Sequence, residues 1–337
     1  MPRRATSKAL RPVPLTEQDP GTRRDLLVPI YKNALGTSVP CPFVVLRGAE
    51  PGPVVGICAA IHGNELNGIN IIHHLLDAID PADLTGTILF APVANVPAFE
   101  AEQRRFPEDE KDINTVFPGK KGGTPSQQYA RSFLKLFLPE LDHLIDIHTA
   151  SEGRINSMYV RADWHSPGSR ALAEVMQPEI ILHGRSGDGT LRNAARVRGA
   201  AAITVEAGNP SEFQGHMASD GEVGILRILG SLGMLQDDLP PPLPRTPVLC
   251  RSSSWLRTEH GGILELCFGL TDVLEKGQVL AHLKDPFGRV LQTLRAPHAG
   301  VVIGMTRRPL AVPGTRYCHL GVPGTPPPPK ARGTSAP

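Results

Sequence analysis

The hydrophobic pattern of the chain changes period most sharply between Val54 and Leu76. A continuous apolar run, VVGICAAI, stops at His62-Gly63-Asn64-Glu65, and a stripe of Leu66, Ile69, Ile72 and Leu76 begins at once. A short run rich in Val, Ile and Ala predicts a buried strand, and apolar positions three and four apart predict a helix. A strand therefore delivers a His and a Glu, three positions apart, to the mouth of a helix. At that spacing both side chains can face the same way and bind a divalent metal, although in a chain with twelve His such a pair also arises by chance.

The same rhythm runs on both sides. Short apolar runs fill Asp25 to Phe43, and Val44-Val45-Leu46 predicts a strand closed by a turn at Ala49-Glu50-Pro51-Gly52. Gly86 to Val93 predicts the next strand, so strand, helix and strand alternate as in an α/β domain with a largely parallel sheet. From Asn95 to Thr124 periodicity is lost. A loop of that length is functional or disordered, and this one holds Arg104, Arg105, six acidic residues and DINTVFPG at 112 to 119. Gln127 to Leu138 then predicts an amphipathic helix, Leu144 to Thr149 a buried strand ending in His148, and Met158 to Val160 a further strand. Helices are predicted over Ser169 to Met176 and Leu191 to Arg198, before a third apolar strand, Ala201 to Gly208, that carries Glu206 near its end.

At Asp237 the composition shifts to DDLPPPLPRTP, a stiff proline-rich linker. Beyond it no helical period survives, and short apolar runs repeat. Val273 to Gly277 followed by Ala281-His282-Leu283 is echoed by Leu310 to Gly314 followed by Cys318-His319-Leu320, and Gly262-Ile263-Leu264 by Gly300-Val301-Val302. Two such units predict a small all-β barrel-sandwich that resembles biotinyl or lipoyl carrier domains. Neither glycine turn has the Met-Lys or Asp-Lys hairpin that would be acylated, which argues against a carrier role. The expected organisation is a flexible basic tail over 1–24, an α/β domain over 25–236, a linker over 237–247, a β barrel-sandwich over 248–323 and a disordered tail over 324–337.

Composition narrows the function classes. With 337 residues, 40% hydrophobic and 20% charged, the chain can bury a full core. Its formal charge of +2 is too small to argue for a nucleic-acid or membrane partner. No run approaches the roughly 18 apolar residues of a membrane span, and the first residues lack an apolar signal segment. A soluble protein of the reducing cytoplasm is expected, with MPRRATSKALR read as a frayed basic tail or as a transit peptide. Five scattered Cys without a CxxC pair read as small core residues, not as a disulfide framework.

The strand ends carry the chemistry. In open α/β sheets ligands collect beyond the carboxyl ends of the strands, and here three strands end in His62 with Glu65, in His148 and in Glu206. Singly, each reads as a hydrogen-bonded rim residue. Together they supply two His and a Glu for a hydrolytic zinc site with an open position for water, and a further carboxylate to move a proton. Asp146, two residues before His148, either orients a ligand or caps a neighbouring backbone group.

HGNE at 62 to 65, DINTVFPG at 112 to 119, LIDIHT at 144 to 149 and ITVEAG at 203 to 208 resemble, in order and spacing, the motifs of the succinylglutamate desuccinylase/aspartoacylase family of zinc carboxypeptidase-like hydrolases. The resemblance spans roughly Asp25 to Val322. It implies a mixed sheet flanked by helices, one Zn2+ per chain held by His62, Glu65 and His148, and Glu206 as general base and acid. It places Arg104, with adjacent Arg105 as the alternative, near the polarised carbonyl or the substrate carboxylate. Asp112 and Asn114 fall at substrate-binding positions, and Arg192 is either another carboxylate contact or a surface residue.

One position departs from the pattern. The family Asn is followed by an Arg that clamps a carboxylate by its fork geometry, whereas here Thr115 follows Asn114. The expected activity is zinc-dependent hydrolysis of the amide of a small N-acyl amino acid or related N-acylated amine. The alternatives are a metallocarboxypeptidase on short peptides and an inactive zinc-containing binding protein. The expected partner is that small molecule, without nucleic acid or membrane, and the β domain is expected either to cover the site or to build a homo-oligomer.

Overall fold

A computed structural model describes residues 10–185, 187–236 and 239–328. In chain order the strands are β1 (Thr22–Lys32), β2 (Ser38–Arg47), β3 (Glu50–Cys58), β4 (Thr85–Ala91), β5 (His143–His148), β6 (Arg154–Asn156), β7 (Met158–Ala162), β8 (Ile180–His183) and β9 (Ala201–Ala207). They continue with β10 (Val248–Arg257), β11 (Gly262–Leu266), β12 (Val273–Leu274), β13 (Val279–Lys284), β14 (Val290–Arg295), β15 (Gly300–Thr306), β16 (Leu310–Ala311) and β17 (Arg316–Pro323). The helices are α1 (Asn67–Ala78), α2 (Val96–Glu100), α3 (Pro125–Phe137), α4 (Pro167–Met176), α5 (Leu191–Val197) and α6 (Gly215–Ser231). None of the described helices is long and apolar enough to cross a membrane.

The main sheet has the order β1-β2-β4-β3-β5-β9-β7-β8-β10-β17-β15-β12, with β6 added against β15. Strands β4, β3, β5 and β9 pair in parallel, but β2 on β4 and β7 on β9 are antiparallel. The sheet is thus mixed, where the strand-helix alternation predicted a largely parallel one. Central parallel strands are covered on both faces, which is why they read as unbroken apolar runs. One face packs on α1, α4 and α6 through Ile71, Ile72, Met176, Ile225 and Ile228. The other packs on α3 and α5 through Tyr129, Phe133, Phe137, Leu191 and Ala195.

In α1 the fully buried apolar residues are Ile71, Ile72 and Leu75, with Ile69 beside them. The expected stripe was rotated slightly, since Leu66 precedes the helix at its cap and Leu76 is only partly covered. Fully burying each such side chain is worth about 2 kcal/mol of transfer free energy. The helix end cannot drift from β3 without exposing them.

Several elements differ from the pattern. β1 and β2 form one long hairpin, and the turn expected at 49–52 falls earlier, because Glu50 already pairs with Thr85. β8 is four residues long and gives no alternation to detect. The long loop holds helix α2 and a 3-10 turn over Ile113–Thr115, each started by a side-chain cap, Asn95 and Asp112. Within the expected basic tail, residues 1–9 lie outside the described residues, but 10–24 are not loose. Val13 and Leu15 are buried, Val13 N donates to Leu136 O at 2.9 Å, and Thr22 starts β1.

Residues 248–323 contain only strands. The repeat expected there is visible as β11-β12-β13 against β15-β16-β17, with Gly277 and Gly314 at φ 85° and 87° in matching turns. β14-β13-β11-β16 make a second sheet, and Leu264, Leu280, Leu283, Val302 and Leu320 fill the core between it and the main sheet. These strands do not stand apart after the linker. β10 pairs in parallel with β8, and β6 pairs with β15, so they extend the main sheet. The described linker residues are tied down as well: Arg245 bonds Asp220 at 2.7 Å and Gln177 O at 3.0 Å. Residues 324–328 carry no regular element, and the rest of the expected C-terminal tail lies outside the described residues.

Candidate active site

The ends of β3, β5 and β9 lie side by side, with His148 and Glu206 directly paired in register. Beyond β3 the chain turns through Ala60, a non-glycine residue at φ 50°, a backbone conformation that costs about 1 kcal/mol or more. That turn delivers His62, and Glu65 closes behind it with its N–H on His62 O at 3.0 Å.

His62, Glu65 and His148 are all buried, and one ligand atom from each lies within 4.8 Å of the others. Nδ1 of His62 is 2.9 Å from Glu65 Oε1, Nδ1 of His148 is 2.9 Å from Glu65 Oε2, and the two Nδ1 atoms are 3.2 Å apart. The outer nitrogens face carboxylates: His62 Nε2 is 2.9 Å from Asp112 Oδ1, and His148 Nε2 is 3.0 Å from Asp146 Oδ2. This arrangement fits a divalent cation. A carboxylate facing each Nε2 favours a proton on that nitrogen, which would leave both Nδ1 atoms and the Glu65 oxygens to a shared cation.

Charge at this point is balanced from several sides. Arg104 Nη1 donates to Glu65 Oε1 at 2.5 Å and lies 3.1 Å from His62 Nδ1, while Nη2 donates to Asp112 Oδ2 at 3.0 Å. Thr149 N donates to Glu65 Oε2 at 3.1 Å. Burial disfavours the Glu65 carboxylate, but His62 and His148 outweigh it and hold its pKa well below the usual range. Burial likewise opposes protonation of His148, yet Asp146 and Glu65 raise its pKa.

The remaining predicted residues fall in different places. Glu206 stands beside the cluster, held by Arg161 Nε at 3.1 Å and Asn156 Nδ2 at 3.4 Å. Of the neighbouring arginines, Arg104 turns inward and Arg105 turns out to Glu110 O. Asn114 lines the cavity, its Oδ1 accepting from Leu191 N at 2.8 Å. Asp112, expected to bind substrate, sits behind His62 and Arg104 and is not among the cavity-lining residues. Arg192 is buried and not a surface residue; its Nη1 donates to the carbonyls of Arg161 and Gly184, and burial with Arg161 nearby lowers its pKa to about 10. Thr115 is exposed, with its hydroxyl donating back to Asp112 O, and does not line the cavity.

Asp146, Asn156, Tyr159 and Arg161 complete one side of the cavity floor or its support, and Trp255, Arg316 and His319 come from the C-terminal strands. Only Asp146 was signalled by its strand position. His319 falls in the internal repeat, but nothing there distinguishes it from His282. The cavity measures about 390 Å³ and is lined by six arginines against Glu65 and Glu206.

His319 gives a measurable consequence. It stacks on Trp255 with ring centroids 4.9 Å apart and lies 2.8 Å from Ser253 Oγ. Burial, then Arg161, Arg154 and Arg316, lower its pKa from 6.5 to about 3. Between those values the unfolded chain binds a proton that the folded chain does not, so this contribution to stability is full above about pH 6.5 and is lost as pH falls towards 3. One such proton gives a slope of about 1.4 kcal/mol per pH unit. His319→Gln should flatten the fall in stability between pH 6 and 4 by up to about that slope, measured by urea unfolding. Parallel profiles for the two proteins would contradict it.

A mixed α/β sheet that gathers two His, a Glu and a separate carboxylate at the ends of its central strands defines a protein with a candidate metal centre of the hydrolase type. Residues 51–232 match the succinylglutamate desuccinylase/aspartoacylase catalytic domain, and the chain belongs to that family. The N-alpha-acetyl-L-2,4-diaminobutyric acid deacetylase of Halomonas elongata is 26% identical over 264 residues, covering 74% of this chain and 75% of that one. Among solved structures, a succinylglutamate desuccinylase from a Silicibacter species superposes with a TM-score of 0.81 at 23% identity, covering 93% and 97% of the two chains. The product-bound ectoine utilization protein EutE (DoeB) of Ruegeria pomeroyi gives 0.81 at 23% identity, covering 92% and 97%. These structural likenesses establish the fold.

Proposed function

We propose that the protein is a zinc-dependent deacylase that hydrolyses the amide bond of a small N-acyl amino acid or related N-acylated amine. The observation that carries this is the convergence of His62, Glu65 and His148 on one point with Glu206 one strand away and not part of the cluster. The deacetylase named above, acting on an N-acetylated diamino acid, supports the substrate class. Bound zinc would supply a Lewis acid that activates water near neutral pH and polarises the acyl carbonyl.

His62, Glu65 and His148 would hold the metal, and Asp112 and Asp146 keep the two imidazoles turned inward. Glu206 takes the proton of the attacking water and passes it to the departing nitrogen, so that the C–N bond breaks and, once the new carboxyl group has given up its own proton to the amine, the products are a carboxylate and a protonated amine. Arg161 and Asn156 keep the Glu206 carboxylate aimed into the cavity. Arg104, at the mouth of the cluster, offers N–H groups to the negative charge that develops on the acyl oxygen. Asn114 and Arg192, which both line the cavity, are the substrate contacts in this reading.

In this reading residues 25–236 carry the chemistry, and 248–323 complete the cavity wall through Trp255, Arg316 and His319. The substrate is a small molecule of the cytoplasm; neither nucleic acid nor membrane is a partner. The test is a panel of N-acetyl, N-succinyl and N-formyl amino acids beside dipeptides and C-terminally blocked peptides, assayed with zinc restored. Turnover confined to the N-acyl compounds is expected. Preferential cleavage of dipeptides would overturn the assignment in favour of a peptidase.

A further inference from the structure

Most of the cavity arginines are accounted for. Arg104 is paired with Glu65 and Asp112, Arg161 with Glu206, and Arg192 donates to two carbonyls. Arg185 approaches Asp163 at 4.0 Å. Among the described residues, Arg154 and Arg316 line the same cavity without any carboxylate partner. We propose that Arg154 and Arg316, backed by Trp255, form a binding subsite for a carboxylate of the substrate on the wall built by the C-terminal strands. The inference rests on the amide-hydrolase reading and names a feature of the substrate that reading leaves open.

Three observations carry it. First, the Arg154 guanidinium carbon lies over the Trp255 ring, 5.0 Å from its centre, a cation–π contact that holds a two-pronged donor for a planar two-oxygen anion. Second, every charged group named as acting on Arg154 is another cation. Burial and then Arg316, Arg104, Arg257 and Arg308 all lower its pKa, so an anion bound beside Arg154 meets a cationic surrounding. Third, the position suits a small substrate. Side chains two apart on a strand share a face, and Asn156, two residues along β6 from Arg154, reaches Glu206. Two strand residues span about 7 Å, so a carboxylate on Arg154 lies a few bonds from an amide placed at Glu206.

The approach of β6 to β15 depends on a glycine. Its three residues register against Thr306, Met305 and Gly304, and a Cβ on Gly304 would come within 2.4 Å of Asn156 Oδ1. Glycine at 304 lets β6 sit close enough to carry Asn156 to Glu206 and Arg154 to Trp255 together.

The test uses the zinc-loaded full chain and calorimetric titration with succinate, acetate and inorganic phosphate. Succinate offers one carboxylate to the metal end and one to Arg154, whereas acetate offers one in all. Arg154→Gln and, as a second variant at an exposed position, Arg316→Gln should each weaken succinate binding by about tenfold or more and acetate by less than about twofold. Arg154→Lys should recover part of the loss. Equal losses for succinate and acetate, no loss for succinate, or a preference for phosphate would each overturn the subsite. In turnover, Arg154→Gln should raise KM for an N-acetyl amino acid about tenfold while leaving the corresponding carboxamide unaffected. If the wild-type protein hydrolyses none of the panel, the hydrolase reading fails and the succinate titration still decides the subsite.

Discussion

Glu206→Gln is expected to abolish turnover, by about a thousandfold or more in kcat, while zinc stays stoichiometric. Glutamine keeps the shape of the side chain and an oxygen to accept from Arg161 Nε, so the end of β9 should not move. What it loses is the basic oxygen that receives the proton of the attacking water. Because Glu206 lies outside the His62, Glu65 and His148 cluster, metal content should be unchanged by elemental analysis. Near wild-type kcat in this variant, or loss of zinc with it, would remove Glu206 from the role assigned here.

Glu65→Gln is expected to fail in the opposite way, losing zinc and stability together. Glu65 is fully buried, and its two oxygens meet His62, His148, Arg104 and the Thr149 N–H. A neutral amide would leave Arg104 and two imidazoles facing a site with one less negative charge and an NH2 pointing at donors. Breaking a buried ionic cluster from one side costs about 3 to 5 kcal/mol. Urea unfolding of the chelator-treated proteins should show that loss, with zinc content well below one per chain after reloading. Unchanged midpoint and unchanged zinc would show that the cluster is not held together by Glu65.

The two variants separate the site into a group that holds and a group that reacts. That division depends on neighbours far away in sequence. Arg161 and Asn156 bind Glu206 from β7 and β6, and Arg104 comes from the loop after α2 to lie on Glu65. Six arginines line the cavity against two carboxylates, a balance that suits a ligand carrying negative charge.

His62, Glu65, His148 and Glu206 were legible in the chain because buried parallel strands write themselves as unbroken apolar runs, and each run stops where a polar side chain must emerge at the sheet edge. Once three runs ended in metal-binding or acidic residues, their meeting followed from the rule that parallel strands present their carboxyl ends together. The linker and the repeat in 248–323 were legible for a similar reason, being local features of composition and period. Which arginine turns inward at 104–105, whether Arg192 is buried, and that Asp112 lies against His62 and Arg104 were decided only by packing. Each depends on a partner tens of residues away, such as His62 with Asp112 or Glu206 with Arg161, and such pairings leave no period in the chain. The pairing of β10 with β8, which brings Trp255, Arg316 and His319 to the cavity, is of the same kind. A strand edge accepts a partner through backbone hydrogen bonds common to all residues, so the sequence determined that these strands form and the tertiary structure decided where they dock.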